Sequence, residues 1–394
     1  MQINSLLSPE SRAFIKSHEN DDPYQLALQA SKWPDLPIRE IAAQIQSRKK
    51  AKSKLPEWYN TKGIIFPEAK YLEQASSEIT AKYKASLVQG KSFLDITGGT
   101  GVDTYYLSRS FESCHYVEKN PALADLATHN FKQLAAKNIQ CINDAAEGYL
   151  NHTTTHFDCI YVDPSRRSGS QKVYQLKDCE PDILNLLPKL LKRSDLVLLK
   201  ASPFLDINLG LKQFESVIRI HIVSVDNDCK ELLIGITGND TEEPVLVTIN
   251  VTGSSIQEFR FTRKEEETSK TEYSNPLQFL YEPNASIMKS GAFKLIGQRY
   301  DLRSLHPNTH LYTSNILRDD FPGRVFRINS LESFNWRDLK KMKGKQANLA
   351  ARNFPHSVTE IRKKTGIKDG GEDYIYFARA IDEKLYSIAT QKIS

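Results

Sequence analysis

Four carboxylates end four apolar runs in chain order: Asp95 after KSFL, Glu118 after CHYV, Asp144 after QCIN and Asp163 after FDCIYV. Between the first two lies Gly98-Gly99-Thr100-Gly101, where a strand must turn into a helix. Glycines there let backbone amides approach a ligand and ease φ in a tight turn. The Gly-Lys-Ser/Thr of a triphosphate cradle does not follow, and position 104, where a dinucleotide fingerprint needs its third glycine, is Thr104. Asp95, on the strand side of the loop, suits a ligand carrying an amine better than a pyrophosphate. Glu118, 20 residues past Gly98, is placed to accept both ribose hydroxyls of an adenosine. Asp144 is placed to touch the adenine edge, with Ala145 against its face. Any one acid here serves equally as a helix cap; the ordered series points to a nucleoside pocket at the carboxyl side of a sheet.

The fourth acid introduces a different chemistry. In Asp163-Pro164-Ser165-Arg166-Arg167 the carboxylate can orient an attacking amine or take its proton, and neighbouring carbonyl oxygens can help hold it. Arg166 and Arg167 are candidates to grip a substrate phosphate or carboxylate beside the reacting atom. The other reading pairs one arginine with Asp163 or Glu180 and makes it a lock on the loop. Lys200 and Ser202, in Lys200-Ala201-Ser202-Pro203, close a fifth strand and shape the substrate side. Metal chemistry is not expected: His306 and His310 are four apart, but Pro307 and Asn308 between them oppose a helical pair. The five cysteines form no CxxC, and Cys114 and Cys159 fall in apolar strands as small hydrophobes.

Such a pocket needs parallel strands that end on one side. From residue 89 to 240, short apolar strands alternate with helical stretches, one of them opened by Pro121. The pattern predicts an α/β fold with a mostly parallel sheet and helices on both faces. Residues 1–88 predict helices, with Ile38, Ile41 and Ile45 at helical spacing. One continuous helix is expected over 69–88, with Gln74, Ser77 and Glu78 on a shared face able to close over the pocket. After residue 240 the rhythm changes. Residues 241–318 predict a small α+β unit with antiparallel strands EPVLVTINV and EFRFTRK and a surface loop at KEEETSKTEYSN, and 319–394 a second, basic α+β unit. Between 337 and 364, nine lysines and arginines face two acids. Lys343, Lys345, Arg352, Arg362 and Lys363, with Lys340, Lys341 and Lys364, are the candidate residues to meet a phosphate backbone.

Composition agrees with a folded protein of several domains: 394 residues, 40% apolar and 26% charged. The formal charge of +5 permits an anionic partner without requiring one. The first residues lack a basic start followed by an apolar run, and no stretch reaches the roughly 18 apolar residues of a membrane span. A cytoplasmic location with no membrane association is the expectation.

The acid-and-glycine series resembles the class I S-adenosylmethionine-dependent methyltransferases. The resemblance implies a Rossmann-like sheet whose cofactor is S-adenosyl-L-methionine. It assigns the methionine portion to Asp95, Gly98, Gly99 and Gly101, the ribose to Glu118, and the adenine to Asp144 with Ala145. Amino-methylating members often end the fourth strand in D/N-P-P-Y. Asp163 and Pro164 match, whereas Ser165 and Arg166 replace the second proline and the aromatic, so stacking on a base must come from elsewhere. More closely, most of the chain resembles a bacterial group of methyltransferases with a small ferredoxin-like domain, here 241–318, and a THUMP-like C-terminal domain, here 319–394. Its stretches appear as LEQASSEITAKYKA, LDITGGTGVD, YVDPSRR, LLKASPFLDI, YEPNASIMKSG and ARNFPHSVTEIRKKTGIKDGGEDYIYF. THUMP domains accompany RNA-modifying enzymes, so the resemblance implies RNA, tRNA or rRNA, as substrate and partner. The rival readings are methylation of a small anionic molecule or a protein, and a non-catalytic RNA-binding protein with a relic pocket. The intact Asp95, Glu118, Asp144 and Asp163 speak against the relic.

Overall fold

The computed structural model describes residues 3–166, 176, 179–239 and 242–393. They form two compact units: one runs to Ile218 and takes in Leu232–Glu242, the other comprises Arg219–Glu231 and the chain from Glu243 onward.

In the first unit, helix α1 (Ile38–Lys54) buries Ile38, Ile41 and Ile45 with Leu6, Phe14 and Leu26, the single apolar stripe that an amphipathic helix must cover. Gln44 of α1 bonds both backbone groups of Phe66, and Asn130 bonds both of Ile65. Two side-chain amides thus satisfy an extended backbone in the manner of a neighbouring strand. The helix expected over 69–88 is in fact two, α2 (Ala69–Gln74) and α3 (Glu78–Ala85). Ser77 separates them, because its hydroxyl accepts the Thr80 amide at 3.2 Å as an N-cap. Gln74 and Ser77 therefore share no helix face.

Strands and helices then alternate as expected: β1 (Gly90–Asp95), α4 (Val102–Leu107), β2 (Phe111–Val117), α5 (Pro121–Gln133), β3 (Ile139–Ile142), α6 (Ala146–His152), β4 (Phe157–Val162), α7 (Ile183–Leu191) and β5 (Ser194–Ala201). Side by side they run β3-β2-β1-β4-β5, all parallel. The hairpin strands β6 (Val217–Val225) and β7 (Asp228–Ile236) follow, and β7 lies antiparallel to β5. Strand order reverses between β1 and β4, so the carboxyl ends there open a crevice, the place where an α/β sheet takes its ligand. Phe93, Leu94, Cys159, Ile160 and Val162 bury these strands and leave their polar residues to the tips.

In the second unit, β8 (Val245–Thr252) pairs antiparallel with β9 (Ser255–Phe261), as expected, and parallel with residues 219–225 of β6. The expected loop at KEEETSKTEYSN instead begins as helix α8 (Arg263–Thr268). Thr262 and Glu265 close a capping box, each side chain taking the other residue's backbone amide, and this offsets the crowding of three adjacent glutamates. Glu266 then accepts the amides of Phe293, Lys294 and Leu295 at the start of another helix. A second sheet takes β10 (Phe279–Pro283), β11 (Tyr312–Ser314), β12 (Gly323–Ser333), β13 (Asn348–Arg352), β14 (Asp373–Arg379) and β15 (Leu385–Lys392) in the order β11-β10-β12-β15-β14-β13. Helix α9 (Val358–Thr365) crosses from β13 to its parallel neighbour β14. Leu280, Leu305, Leu311, Phe326, Tyr376 and Ile388 form the core on this sheet. Among the described residues, no helix is long and apolar enough to cross a membrane.

Candidate active site

The loop after β1 is shaped by close approach. A Cβ on Gly98 would meet the Tyr116 ring at 2.2 Å, while the Tyr116 hydroxyl donates to the Gly99 carbonyl at 2.7 Å. Gly99 and Gly101 adopt φ of 53° and 79°, the left-handed region that favours glycine. Glu118, at the tip of β2, accepts the Gly99 amide at 2.7 Å on one oxygen and the Asn120 amide at 2.8 Å on the other. Asn120 in turn caps α5. The second acid thus sits directly against the glycine loop, a contact that the sequence did not indicate.

A cavity of about 840 Å³ opens at these strand ends. Of the sequence-derived candidates, Asp95, Gly98, Gly99, Glu118, Asp144, Ala145, Asp163, Ser165, Lys200 and Ser202 line it. Gly101 does not; its amide closes the turn on the Gly98 carbonyl at 2.9 Å, so its contribution is backbone freedom. Pro164 follows Asp163 without lining the cavity. The backbone of Ser165 and Arg166 pairs with Cys179 and Glu180. The Arg166 side chain and Arg167 lie outside the described residues. Glu180 pairs with Lys119 and Asp163 with Lys200 at 2.7 Å, while the arginine pairing considered for them falls on side chains outside the described residues.

A charge network lies beneath the cavity, and half of it was not singled out in the sequence. Lys84 of α3, 0% exposed, stands 3.2 Å from Asp103 Oδ1. Asp103 Oδ2 accepts the hydroxyls of Ser76 at 2.7 Å and Tyr161 at 2.8 Å. Ser76 Oγ also receives both lysines, Lys84 at 3.1 Å and Lys200 at 3.3 Å. Burial works against the Asp103 charge, but the Lys84 and Lys200 ammoniums outweigh it and hold the carboxyl below its usual range. Asp95 shows the opposite balance: burial pushes it up to about 7, although Thr104 O–H and Thr97 N–H donate to it at 2.6 and 3.0 Å. Thr97 also accepts the Asp163 amide at 2.7 Å, which ties the tips of β1 and β4 together.

The basic candidates of the second unit divide into two sets. Lys343, Lys345 and Lys363 are exposed and make no ion pair among the described residues. Arg352 is instead half-buried against Glu282 at 2.6 Å, where Arg324 and the Tyr376 hydroxyl also converge. Arg362 binds Asp369 and the carbonyls of Ala347 and Ile367. These two arginines, expected at a phosphate backbone, brace oxygens of their own unit in this structure. A carboxylate only 4% exposed cannot be left without cations, and both arginines have carbonyl or carboxylate oxygens within reach. Lys341 and Lys364 likewise pair with Asp338 and Glu360.

Three family models match the chain: a ferredoxin-like domain over residues 279–322, a THUMP domain-like model over 323–390, and conserved hypothetical protein 95 over 67–203. The crystal structure of a Porphyromonas gingivalis W83 protein assigned as a methyltransferase is similar over 97% of both chains, at 32% identity and a TM-score of 0.88. An S-adenosylmethionine-dependent methyltransferase of Mycobacterium tuberculosis, itself uncharacterized, is 22% identical over 302 residues, covering 75% of this chain and 78% of its own. Ribosomal RNA small subunit methyltransferase J of Francisella philomiragia is 34% identical over 129 residues, 27% of this chain and 53% of that protein.

Proposed function

The chain belongs to the S-adenosylmethionine-dependent methyltransferases that carry ferredoxin-like and THUMP-like domains, and on that premise we propose that it methylates RNA in the cytoplasm. The observation that carries the RNA reading is the THUMP-like match over 323–390, a region that holds Lys343, Lys345 and Lys363 exposed and without ion pairs among the described residues. THUMP-type modules accompany RNA-modifying enzymes, and unpaired surface cations neutralise phosphates. The partial likeness to a ribosomal RNA methyltransferase points the same way. Five free cysteines suit a reducing compartment.

The cavity fits S-adenosylmethionine. The Tyr116 ring packs against Gly98 and leaves no room for a Cβ, which fixes the loop's backbone along the cavity, and the wall offers Glu118 and Asp144 to hydroxyl and amine donors at successive strand ends. Asp95, Gly98 and Gly99 would hold the methionine portion, Glu118 the ribose, and Asp144 with Ala145 the adenine. Bound there, the cofactor supplies an electrophilic methyl group on a sulfonium. The protein's work is then alignment and exclusion of water. Asp163, fixed on one oxygen by Lys200, presents its other oxygen to the acceptor. Arg166 and Arg167 bind a neighbouring phosphate. Phe204, 84% exposed and two residues past the cavity-lining Ser202, supplies the stacking face that the sequence after Asp163 lacks.

The test is to incubate purified protein and methyl-labelled S-adenosylmethionine with RNA, protein and metabolite fractions from cells lacking the gene. Label in a tRNA or rRNA band is the expected result. Label confined to protein or small molecules would overturn the RNA assignment and leave methyl transfer standing.

A further inference from the structure

Two lysines and two aspartates share the floor of the site, and their spacing makes the arrangement a competition. Lys200 Nζ is 2.7 Å from Asp163 Oδ2 and 3.9 Å from Asp103 Oδ2. Asp103 has its own cation in Lys84, at 3.2 Å. Deprived of Lys84, the buried Asp103 carboxylate would be short of a counter-charge. Lys200 is the nearby cation that can answer it, since a shift of about 1 Å brings it to ordinary ion-pair distance. Ser76 Oγ, already in reach of both ammoniums, lies along that path. The move would strip Asp163 of its partner.

We infer that Lys84 is a positioning residue for methyl transfer: by satisfying Asp103 it reserves Lys200 for Asp163, and so governs the charge presented to the methyl group and the acceptor. Lys84 sits in α3, in the N-terminal helical region, and does not itself line the cavity. The helices before the sheet are thereby a working part of the catalytic unit. The inference rests on the methyl-transfer reading of Asp163 and not on the identity of the acceptor.

Two cofactor analogues test it without any acceptor. Sinefungin carries a protonated amine where the cofactor has its S-methyl group; S-adenosylhomocysteine has neither methyl nor charge there. Their affinities, measured by calorimetry on the full-length protein, give a ratio that reports the negative field at the methyl position. In Lys84→Met, the bared Asp163 should shift that ratio about tenfold toward sinefungin, with S-adenosylhomocysteine affinity little changed. The double variant Lys84→Met/Asp103→Asn, which removes the acid that draws Lys200 away, should return the ratio to the wild-type value. A merely structural role for Lys84 would predict no such rescue. If Lys84→Met does not fold, Ser76→Ala, which withdraws one donor from Asp103, should move the ratio in the same direction by about threefold. An unchanged ratio in the folded variants, or a double variant that departs further than the single, would overturn the inference. Wild-type protein that binds neither analogue would overturn both this inference and the cofactor assignment, whereas failure to label RNA would overturn only the RNA assignment.

Discussion

Glu118 holds the Gly99 amide at 2.7 Å, so the acid assigned to the ribose is also the clamp on the loop assigned to the methionine portion. On the proposed assignment, the two halves of the cofactor site are coupled through one side chain. Glu118→Ala loses a charge-assisted bond to the loop together with the ribose acceptor, and S-adenosylmethionine affinity should fall at least about thirtyfold. Arg166→Ala, at a residue proposed to grip the substrate, should leave that affinity within about twofold while turnover drops about a hundredfold. Calorimetric titration of both variants beside a methyl-transfer assay checks the division; equal loss of cofactor binding in the two would refute it.

Asp95 gives the protein a pH dependence of predictable sign. In the folded chain burial raises its pKa to about 7, against 3.8 for an unperturbed Asp. The folded state therefore carries the extra proton between about pH 4 and 7, and stability is lost as pH rises through that window, on the order of 4 kcal/mol in all. Urea unfolding at pH 5 and pH 8 should show Asp95→Asn with a clearly flatter dependence than wild type. An ammonium brought to Asp95 by the cofactor reverses the preference for the neutral acid. Binding at pH 6 should accordingly release a proton, seen as a buffer-dependent enthalpy.

Phe204 is an aromatic left in solvent beside a cavity whose acid-proline motif lacks one. If a base stacks on it, Phe204→Ala should raise KM for RNA about tenfold or more, Phe204→Trp should retain wild-type KM, and cofactor affinity should not change. Steady-state kinetics with the RNA fraction that accepts label decides this. Identical KM in wild type and Phe204→Ala would remove the residue from the acceptor site.

The strand-tip acids were legible because each ends an apolar run, and apolar runs in a parallel sheet are buried along their length and free only at their ends. Glu118 and Asp163 needed nothing more. Lys84 was not legible. A lysine in a stretch of Ala, Glu and Lys looks like a solvent-facing helix residue, and its partner Asp103 looks like an acid in the first turn of α4. Only the packing of α3 against the sheet unit joins them. The break at Ser77 was hidden by strong helix formers on both sides, since a serine cap changes the balance by only about 1 kcal/mol. The capping box at Thr262 and Glu265 was written plainly in the sequence but lay inside an acid-rich run that suggested a loop. Glu282 meets Arg324 and Arg352 across 42 and 70 residues, a pairing that no local pattern encodes.

That last pairing separates two kinds of basic residue in the THUMP-like region, and the separation can be measured. Lys343, Lys345 and Lys363 are exposed and available to phosphates, so replacing all three with glutamate should weaken RNA binding at every sequence tested. The slope of log affinity against log salt should fall by roughly 0.7 to 0.9 for each phosphate that is no longer neutralised. Unfolding by urea should be little altered, because these side chains brace nothing among the described residues. Arg352→Ala should do the reverse. It leaves the Glu282 carboxylate, 4% exposed, with Arg324 and the Tyr376 hydroxyl in place but one cation fewer, a loss on the order of 2 kcal/mol. The salt slope should then stay at the wild-type value while the urea midpoint drops. A changed slope in Arg352→Ala at unchanged stability would return Arg352 to the phosphate-binding surface and make Glu282 its holder in the absence of RNA.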